Sequence, residues 1–319
     1  MRVSVALCTY NGGRHLAEQL ASIAAQSRRP DELVICDDRS SDSTVEILTN
    51  FAQSAPFPVR LYRNEENLGS TRNFEKAIGL CQGELVALCD QDDVWYAHKL
   101  QSLAGVLESH PMLGGAFSDA DLIREDSRLL GSRLWGRVHF APAENAAMTA
   151  DIAKILLKHD LVTGATLMFR ADKRELILPV CPPWIHDGWI AWMLALYSSV
   201  ASLRVPLMQY RVHDSQQVGI GPRSLLGRIQ RAQQVGRAEY RLMARKFEIV
   251  RDRWCERPGE NFRSRLQDLE GKIRHSYLRA ELPRNRFMRL YRILGALHEY
   301  RKYGRGPISA GKDLILDLN

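Results

Sequence analysis

The chain has 319 residues, of which 45% are hydrophobic, and this is enough to bury a substantial core. Its six cysteines lack the paired spacing of a zinc site and four of them lie in apolar runs, so we expect neither disulfides nor zinc. We expect no signal peptide, because Met1 and Arg2 lead directly into a strand, and no apolar run approaches the length of about 20 residues that spans a bilayer. This composition agrees with an intracellular enzyme.

The first ninety residues alternate apolar strands with helices. Strands are predicted at residues 3–8, 32–36, 59–62 and 85–89, and helices at 14–26, 44–52 and 70–81. This alternation predicts an α/β fold with a mainly parallel sheet flanked by helices, in which ligands bind outside the carboxyl ends of the strands. Polar residues follow three of the strands, and we expect one site to collect them: Thr9, Asp37 and Asp38, and Asp90 to Asp93.

Three carboxylates follow the fourth strand directly. Asp90, Asp92 and Asp93 would repel one another by about 1 kcal/mol per close pair even when solvated, and a divalent cation removes this repulsion. Oxygen ligands suit Mg²⁺ and Mn²⁺, which often also bind substrate phosphates. The alternative is an acidic N-cap, in which Asp93 satisfies free backbone donors of the following helix.

Six motifs occur in the order found in family 2 glycosyltransferases, and through them residues 1–220 resemble that family. The motifs are Cys8–Gly12, Val34–Asp42, Asn67–Gly69 with Asn73, Asp90–Asp93, His186–Trp189 and Gln209–His213. The resemblance implies a nucleotide-sugar-dependent enzyme with a Rossmann-like, glycosyltransferase A-type domain at residues 1–221 and a basic helical extension at residues 222–319. The sequences Cys89–Trp95 and Tyr210–His213 are most similar to bacterial rhamnosyltransferases that build surface polysaccharides such as the O-antigen of lipopolysaccharide.

The resemblance also implies roles for single residues. Contacts to the nucleotide-sugar would come from Thr9, Tyr10, Asn11, Asp37, Asp38, Asn67, Gly69, Asn73, Asp90, Gln91 and Arg211. Asp92 would bind Mn²⁺ or Mg²⁺, and His213 would complete the metal shell or touch the diphosphate. Two alternatives stay open, namely that Asp37 and Asp38 form a turn with a helix cap and that His213 is a polar surface residue.

The chemistry that the resemblance implies is displacement of a nucleoside diphosphate at an anomeric carbon. A divalent ion would stabilise the leaving group as a Lewis acid, and if the configuration inverts, one carboxylate can serve as general base on the acceptor hydroxyl. The resemblance gives that role to Asp187, at the start of a helix that runs to about Leu196, with acceptor contacts from Gly164, Trp184 and Trp189. The alternative is an N-cap aspartate with core tryptophans. Asp119 and Asp121 would contact the donor sugar or acceptor, or lie in a solvated turn.

Charge is distributed unevenly along the chain. Residues 1–221 hold 21 Lys and Arg and 26 Asp and Glu, a net charge of −5, whereas residues 222–306 hold 22 and 9, a net charge of +13. Residues 284–294 alternate bulky and cationic side chains as an interfacial helix does, and anionic lipids attract such a surface by about 1 kcal/mol per cation. We therefore expect a cytoplasmic enzyme, peripheral on the inner face of the bacterial inner membrane, that acts on a glycan or a polyprenyl-diphosphate-linked acceptor. The alternative is a solvated tail that packs on the catalytic domain or on the second subunit of a homodimer.

Two other classes of protein are weighed against an enzyme. A nucleic-acid-binding protein would use the basic tail through counterion release, in keeping with a pI of about 9.2, but no zinc-finger or RNA-reading signature accompanies the tail. An inactive scaffold would keep the fold without the chemistry, and the intact Asp38, Asp92 and Asp187 argue against it. We expect no nucleic-acid partner.

Overall fold

The computed structural model describes residues 1–138, 140, 151–213 and 236–315. The strands in this part of the chain are β1 Val3–Thr9, β2 Glu32–Asp37, β3 Val59–Arg63, β4 Leu85–Cys89, β5 Val94–Trp95, β6 Leu113–Ile123, β7 Leu129–Arg133, β8 Leu167–Arg170 and β9 Ser199–Arg211. They form one sheet in the order β3-β2-β1-β4-β8-β6-β9-β5, with β7 paired to β6. The segment 141–149, which we predict to be a loop near the acceptor, lies outside the described residues.

Helices alternate with the strands along the chain and follow the last described strand. They are α1 Leu16–Ala24, α2 Thr44–Ser54, α3 Ser70–Leu80, α4 Lys99–Ser109, α5 Leu134–Arg137, α6 Ile152–Leu156, α7 Arg174–Ile177, α8 His186–Tyr197, α9 Arg237–Glu256, α10 Phe262–Ala280, α11 Arg286–Gly295, α12 Leu297–Tyr303 and α13 Pro307–Ile315. α1 is shorter than the helix predicted at residues 14–26, and the predicted apolar face, Leu16, Leu20 and Ile23, is buried. The predicted α/β class and the C-terminal helices are confirmed.

The first four strands form the parallel part of the sheet. β1 pairs in parallel with β2 and β4, and β2 pairs in parallel with β3. The register sets Thr9 opposite Asp37 and Leu7 opposite Cys89, so the carboxyl ends of these strands lie level with one another. All side chains of β1, β2 and β4 are buried, which is why these strands read as continuous apolar runs.

Beyond β4 the sheet is mixed. β8 is antiparallel to both β4 and β6, β9 is parallel to β6, and the two-residue β5 is antiparallel to β9. Val94 lies opposite Gln209, and Trp95 lies opposite Met208. This short pairing brings the end of β9 beside the acidic turn after β4, although more than a hundred residues separate them in sequence.

Contacts divide the chain into two compact units. Unit 1 comprises residues 1–151 and 160–219, and unit 2 comprises residues 152–159 and 220–319. Unit 1 contains the sheet. The predicted boundary at 221/222 does not foresee that residues 152–159 group with the C-terminal helices.

Unit 2 has a core of its own with a polar centre. Its buried residues are Tyr240, Ala280, Leu282, Ile293, Ala296, Tyr300 and Ala310. Asp313 is buried among them and accepts hydrogen bonds from Arg279 at 2.6 and 2.8 Å, from the Tyr300 hydroxyl at 2.7 Å and from the Tyr240 hydroxyl at 3.0 Å. Within the described ranges, each helix is too short or too polar to span a bilayer.

Candidate active site

The turn after β2 is built around the buried carboxylate of Asp37. One of its oxygens accepts hydrogen bonds from the hydroxyls of Thr9, at 2.9 Å, and Ser40, at 2.5 Å. The other accepts from the Ser40 backbone N–H at 2.9 Å. Thr9 and Asp37 are thus brought together as predicted. Asp37 also stabilises the turn after β2, as the alternative of a structural turn expects.

Asp38 anchors the loop that precedes α3. Its carboxylate is buried and accepts from the Asn64 side chain, the Leu68 N–H and the Gly69 N–H, each at 2.8 Å. These three hydrogen bonds connect the Asp38 carboxylate to three different residues between β3 and α3. Asp38 therefore orders the loop in the structure, and its predicted contact with a nucleotide stays a prediction.

Asn73 fixes the same loop from inside α3. It donates to the Cys36 carbonyl at 2.8 Å and accepts from Asn64 at 2.9 Å. Asn67 accepts from the Gly69 N–H at 3.1 Å. Gly69 has φ of +77°, and no atom lies within 4 Å of where its Cβ would be, so the loop needs glycine for its backbone and leaves open space above it.

Gln91 ties the turn after β4 to the turn after β1. Its amide accepts from the Tyr10 N–H at 2.8 Å and donates to the Tyr10 carbonyl at 3.0 Å. A Cβ on Gly12 would lie 2.2 Å from the Gln91 amide oxygen, so any side chain there would displace the Gln91 amide from this position. Asn11, at φ +46°, accepts from the Ser41 N–H at 2.8 Å and extends the tie to the β2 turn. The Tyr10 side chain is left 49% exposed, as a group available to a planar base.

The acidic cluster, Asp90 with Asp92 and Asp93, meets the end of β9. Asp92 and the His213 Nε2 are 2.8 Å apart. Asp93 is fully buried, with one oxygen accepting from the Arg211 N–H at 3.0 Å and the other without a hydrogen-bond partner in the described structure. Burial and the neighbouring carboxylates raise the pKa of Asp93 well above its usual range, and burial with the charges of Asp92 and Asp187 raises the pKa of Asp90 to about 7. Burial and mutual repulsion therefore favour the protonated forms of Asp90 and Asp93, and a nearby cation would favour their ionised forms instead.

The N-cap alternative for Asp93 is excluded by the position of the next helix. α4 begins at Lys99, six residues later, and β5 lies between them. Lys99 itself is fully buried. Its Nζ donates to the Ala165 carbonyl at 2.5 Å and lies 3.7 Å from the centre of the Trp95 ring. Burial lowers the pKa of Lys99 to about 7, although the charges of Asp93 and Asp90 oppose this shift.

The sequence contained a signal for Lys99 that motif matching misses. Lys99 is spaced four and eight residues from Leu103 and Leu107, two buried residues of α4, so it occupies an apolar-face position of the helix. A lysine at such a position is buried, and buried lysines are rare unless they have partners. Asn64, which joins Asp38 to Asn73, was also missed, and no sequence signal distinguishes it from a turn residue.

The predicted role of Arg211 as a nucleotide-sugar ligand is corrected by its surroundings. Its side chain is fully buried. The guanidinium donates to Glu18 Oε2 at 2.5 Å, the Asp92 carbonyl at 2.6 Å, Ser127 Oγ at 2.9 Å, the Glu125 carbonyl at 3.0 Å and the Arg124 carbonyl at 3.2 Å. These acceptors occupy the guanidinium, so Arg211 joins the acidic turn to the loop after β6 and is not free to bind a phosphate.

Asp187 lies in the first turn of α8 and close to the acidic cluster. One of its oxygens accepts from the Gly188 N–H at 2.7 Å, and its charge contributes to the raised pKa of Asp90. Gly164 permits this approach, because a Cβ there would lie 3.1 Å from the His186 Nε2 and 3.4 Å from the Asp187 Cβ. Burial lowers the pKa of His186, so this neighbour adds no positive charge near neutral pH.

The tryptophans predicted to bind the acceptor are core residues. Trp189 is fully buried and its Nε1 donates to the Ile177 carbonyl at 2.6 Å, which corrects the prediction that it lines the acceptor site. Trp184 is also buried, and its ring lies 3.2 Å from where a Cβ on Gly188 would be. Both residues thus fit the alternative interpretation, in which the tryptophans belong to the core.

The two aspartates of β6 are engaged in the structure as well. Asp119 is buried and accepts from the Trp135 N–H at 3.0 Å, which fixes the start of α5. Asp121 accepts from the Tyr96 hydroxyl at 2.8 Å and lies 3.5 Å from the Arg133 Nε. Both residues belong to a strand, so the reading as a solvated turn is wrong.

The donor set fits a divalent ion that also binds substrate oxygens. Asp92 and His213 place a carboxylate oxygen and an imidazole nitrogen 2.8 Å apart, and both are atom types that bind divalent ions. Across the described residues, no group of three or more His, Cys, Asp or Glu side chains is arranged to hold an ion by itself. Mg²⁺ commonly uses one or two carboxylates and takes its remaining oxygens from substrate phosphates and water. The residues present therefore suit an ion that arrives with a diphosphate.

Comparisons with known sequences agree on one family. Residues 4–141 match the family model described as "Glycosyl transferase family 2". Among curated proteins, the chain is 27% identical over 227 residues to an uncharacterized glycosyltransferase of Nostoc sp., with 67% of this chain and 66% of that protein covered. The chain thus spans slightly less than two thirds of the length of this relative.

Two solved structures are similar across nearly the whole chain. One is residues 1–349 of S. aureus TarS in complex with UDP-GlcNAc, with a TM-score of 0.59 at 13% identity and coverage of 97% of this chain and 83% of that chain. The other is the mannosyltransferase PcManGT from Pyrobaculum calidifontis in complex with GDP-Man and Mn²⁺, with a TM-score of 0.56 at 17% identity and coverage of 92% and 74%. At these identities the similarity establishes the fold, and it confirms the predicted glycosyltransferase A-type architecture.

Proposed function

We propose that this chain, whose residues 4–141 match glycosyl transferase family 2, transfers a sugar from a nucleoside diphosphate to an acceptor hydroxyl with inversion. The observation that carries the proposal is the meeting of Asp92 and His213 beside Asp90, within electrostatic reach of Asp187. These residues lie after β4, after β9 and in α8, which are distant in sequence. A structural turn after β4 would not need a histidine and a further carboxylate from two other segments near it.

The nucleotide would bind over the tied loops at the carboxyl ends of β1, β2 and β4. Tyr10 would cover one face of the base with its exposed ring, and the space above Gly69 would admit the ribose. Thr9, Asn11, Asp37, Asp38, Asn67, Asn73 and Gln91 would act mainly by holding these loops. The nucleotide-sugars bound by TarS and PcManGT support a donor of this class.

Asp92 and His213 would hold Mn²⁺ or Mg²⁺ together with the diphosphate. When bound, the ion supplies Lewis-acid stabilisation of the leaving group. The Mn²⁺ in PcManGT supports this choice of ion. Asp90, with its raised pKa, would sit between the metal ligands and Asp187 and would orient the ribose or sugar through a hydrogen bond.

Asp187 would act as the general base. The acceptor oxygen attacks the anomeric carbon, its proton passes to Asp187, and the bond from that carbon to the diphosphate oxygen breaks. The hydrogen bond from the Gly188 N–H fixes one oxygen of Asp187, which leaves the carboxylate oriented at the start of α8. Gly164 would leave room for the acceptor to approach.

Rhamnose is the sugar that the motif wording favours, and the acceptor would be a glycan or a polyprenyl-diphosphate-linked sugar in surface polysaccharide synthesis. Such an acceptor lies in the membrane, so the enzyme would work on the cytoplasmic face of the bacterial inner membrane. Screening dTDP-, UDP- and GDP-sugars by product mass would identify the donor, and transfer from a non-rhamnosyl donor alone would reject rhamnose.

The proposal is tested by thermal unfolding with Mn²⁺ and a nucleoside diphosphate, each alone and both together. The pair should raise the melting temperature more than the sum of the separate effects, because each ligand completes the site of the other. Asp92→Asn should remove this synergy, whereas the control Asp126→Asn, at an exposed position, should retain it.

Asp187→Asn separates binding from chemistry. It should keep the synergy of Mn²⁺ and nucleotide and abolish sugar transfer, since the base acts only on the acceptor. Full turnover in Asp187→Asn would reject Asp187 as the base, and equal synergy in Asp92→Asn and wild type would reject the metal site.

A further inference from the structure

α11 exposes its bulky apolar side chains instead of burying them. Phe287 is 85% exposed and Tyr291 80%, and Met288, Leu290 and Leu294 are exposed as well. These five residues are named here the α11 face. Monomeric proteins rarely expose contiguous apolar patches of this kind unless the patch is an interaction site.

The orientation of α11 is fixed by a buried arginine. Arg289 points into unit 2, where it donates to the Pro283 carbonyl at 2.9 Å and the Arg284 carbonyl at 3.3 Å, and Ile293 is buried one turn later. Asn285 caps the helix, accepting from the N–H groups of Phe287 and Met288 at 3.0 and 3.1 Å. Because the inward side is occupied, the α11 face remains outward.

Within residues 282–298, the charged side chains that accompany the α11 face are all arginines. Arg284, Arg286 and Arg292 are exposed, and the sequence contains no Asp or Glu from residue 282 to residue 298. A symmetric contact between two copies of this face would set arginine against arginine, which disfavours a second copy of the chain as the partner. Exposed aromatic residues next to arginines suit the boundary between acidic head groups and acyl chains.

We infer that the α11 face binds an anionic phospholipid surface, with Phe287, Tyr291 and Leu294 entering the acyl boundary and Arg284, Arg286 and Arg292 meeting head-group phosphates. The biological purpose of this surface rests on the proposed function, because it would hold the enzyme where a lipid-linked acceptor is available. The binding itself depends on unit 2 alone.

The test is flotation of the full chain with vesicles of phosphatidylcholine and with vesicles that contain about 30% phosphatidylglycerol. Wild type should float with the anionic vesicles, less so at high salt. Phe287→Ser with Tyr291→Ser should weaken binding by about tenfold or more. The matched control, Met112→Ser with Val205→Ser, changes two exposed apolar residues of unit 1 and should bind as wild type does.

The charged part is tested separately. Replacing Arg284, Arg286 and Arg292 by Gln should weaken binding to anionic vesicles by about a hundredfold. The control triple, with Gln at the exposed Arg29, Arg128 and Arg204, should retain binding.

Equal vesicle binding by wild type and the Phe287→Ser, Tyr291→Ser variant would overturn the inference. So would a wild-type dimer in light scattering that this variant dissociates, since a second copy would then cover the α11 face. The synergy of Mn²⁺ and nucleotide should be unchanged in the variant. If wild type binds vesicles but shows no synergy of Mn²⁺ and nucleotide, the proposed function is rejected, whereas the inference that the α11 face binds anionic lipid is retained.

Discussion

Replacing Arg211 by methionine separates a structural role from a phosphate-binding role. Arg211 is fully buried and supplies donors to five acceptors, two of which are the side chains of Glu18 and Ser127. Removing one partner of a buried ion pair costs about 3–5 kcal/mol, because the remaining groups are left without compensation. Glu18 is partly exposed and regains some hydration, so we expect the lower part of this range.

Urea unfolding followed by tryptophan fluorescence measures the effect. At a slope of about 2–3 kcal/mol per molar urea, a loss of about 3 kcal/mol lowers the midpoint by about 1–1.5 M. Arg128→Met is the control, since Arg128 lies in the loop that Arg211 holds but its side chain is 82% exposed, and we expect a change within about 0.5 kcal/mol. If Arg211→Met unfolds at the wild-type midpoint while nucleotide affinity falls, then Arg211 is a ligand of the donor and the structural assignment is refuted.

Three further changes test the site. Because the folded-state pKa of Asp90 is raised from 3.8 to about 7, the native chain binds more protons than the unfolded chain between pH 3.8 and about 7. The free energy of unfolding should therefore fall as pH rises through this window, and in EDTA the Asp90→Asn variant should show a weaker dependence on pH. Lys99→Met should leave stability to urea equal or higher, because it removes a buried charge. It should weaken Mn²⁺-dependent nucleotide binding, because Lys99 favours the ionised form of Asp90. Unchanged nucleotide binding in calorimetry would contradict this. Gly69→Ala should destabilise by about 1–2 kcal/mol at its φ of +77°, whereas Gly79→Ala inside α3 should be neutral or stabilising, and equal effects would argue against a left-handed backbone at Gly69.

The parallel part of the sheet was predictable because its strands are fully buried. Val5, Leu33 and Val86 lie in continuous apolar runs separated by helical spacing, which is a local pattern. The pairing of β5 with β9 was not predictable, because β5 has two residues and its partner begins more than a hundred residues later. Local periodicity therefore does not predict the mixed half of the sheet.

The candidate site divides in the same way. Asp92 and His213 each belong to a motif, and the structure joins them at 2.8 Å. Arg211 belongs to the same motif as His213, but Arg211 is the last residue of β9 and its side chain is fully buried against Glu18 and Ser127, whereas His213 lies beyond the end of the strand. A motif identifies which residues are shared with a family, whereas burial decides which of them can meet a ligand.

Asp313 has a consequence for the order in which unit 2 matures on the ribosome. Tyr240, Arg279 and Tyr300 all direct their polar groups at this one carboxylate, and Tyr240 precedes it by 73 residues. A nascent chain that has not reached Asp313 contains a phenol and a guanidinium facing an apolar interior without their acceptor, and such groups resist dehydration. We therefore expect unit 2 to close only after α13 has been synthesised, at a time when the whole sheet of unit 1 is already available to fold.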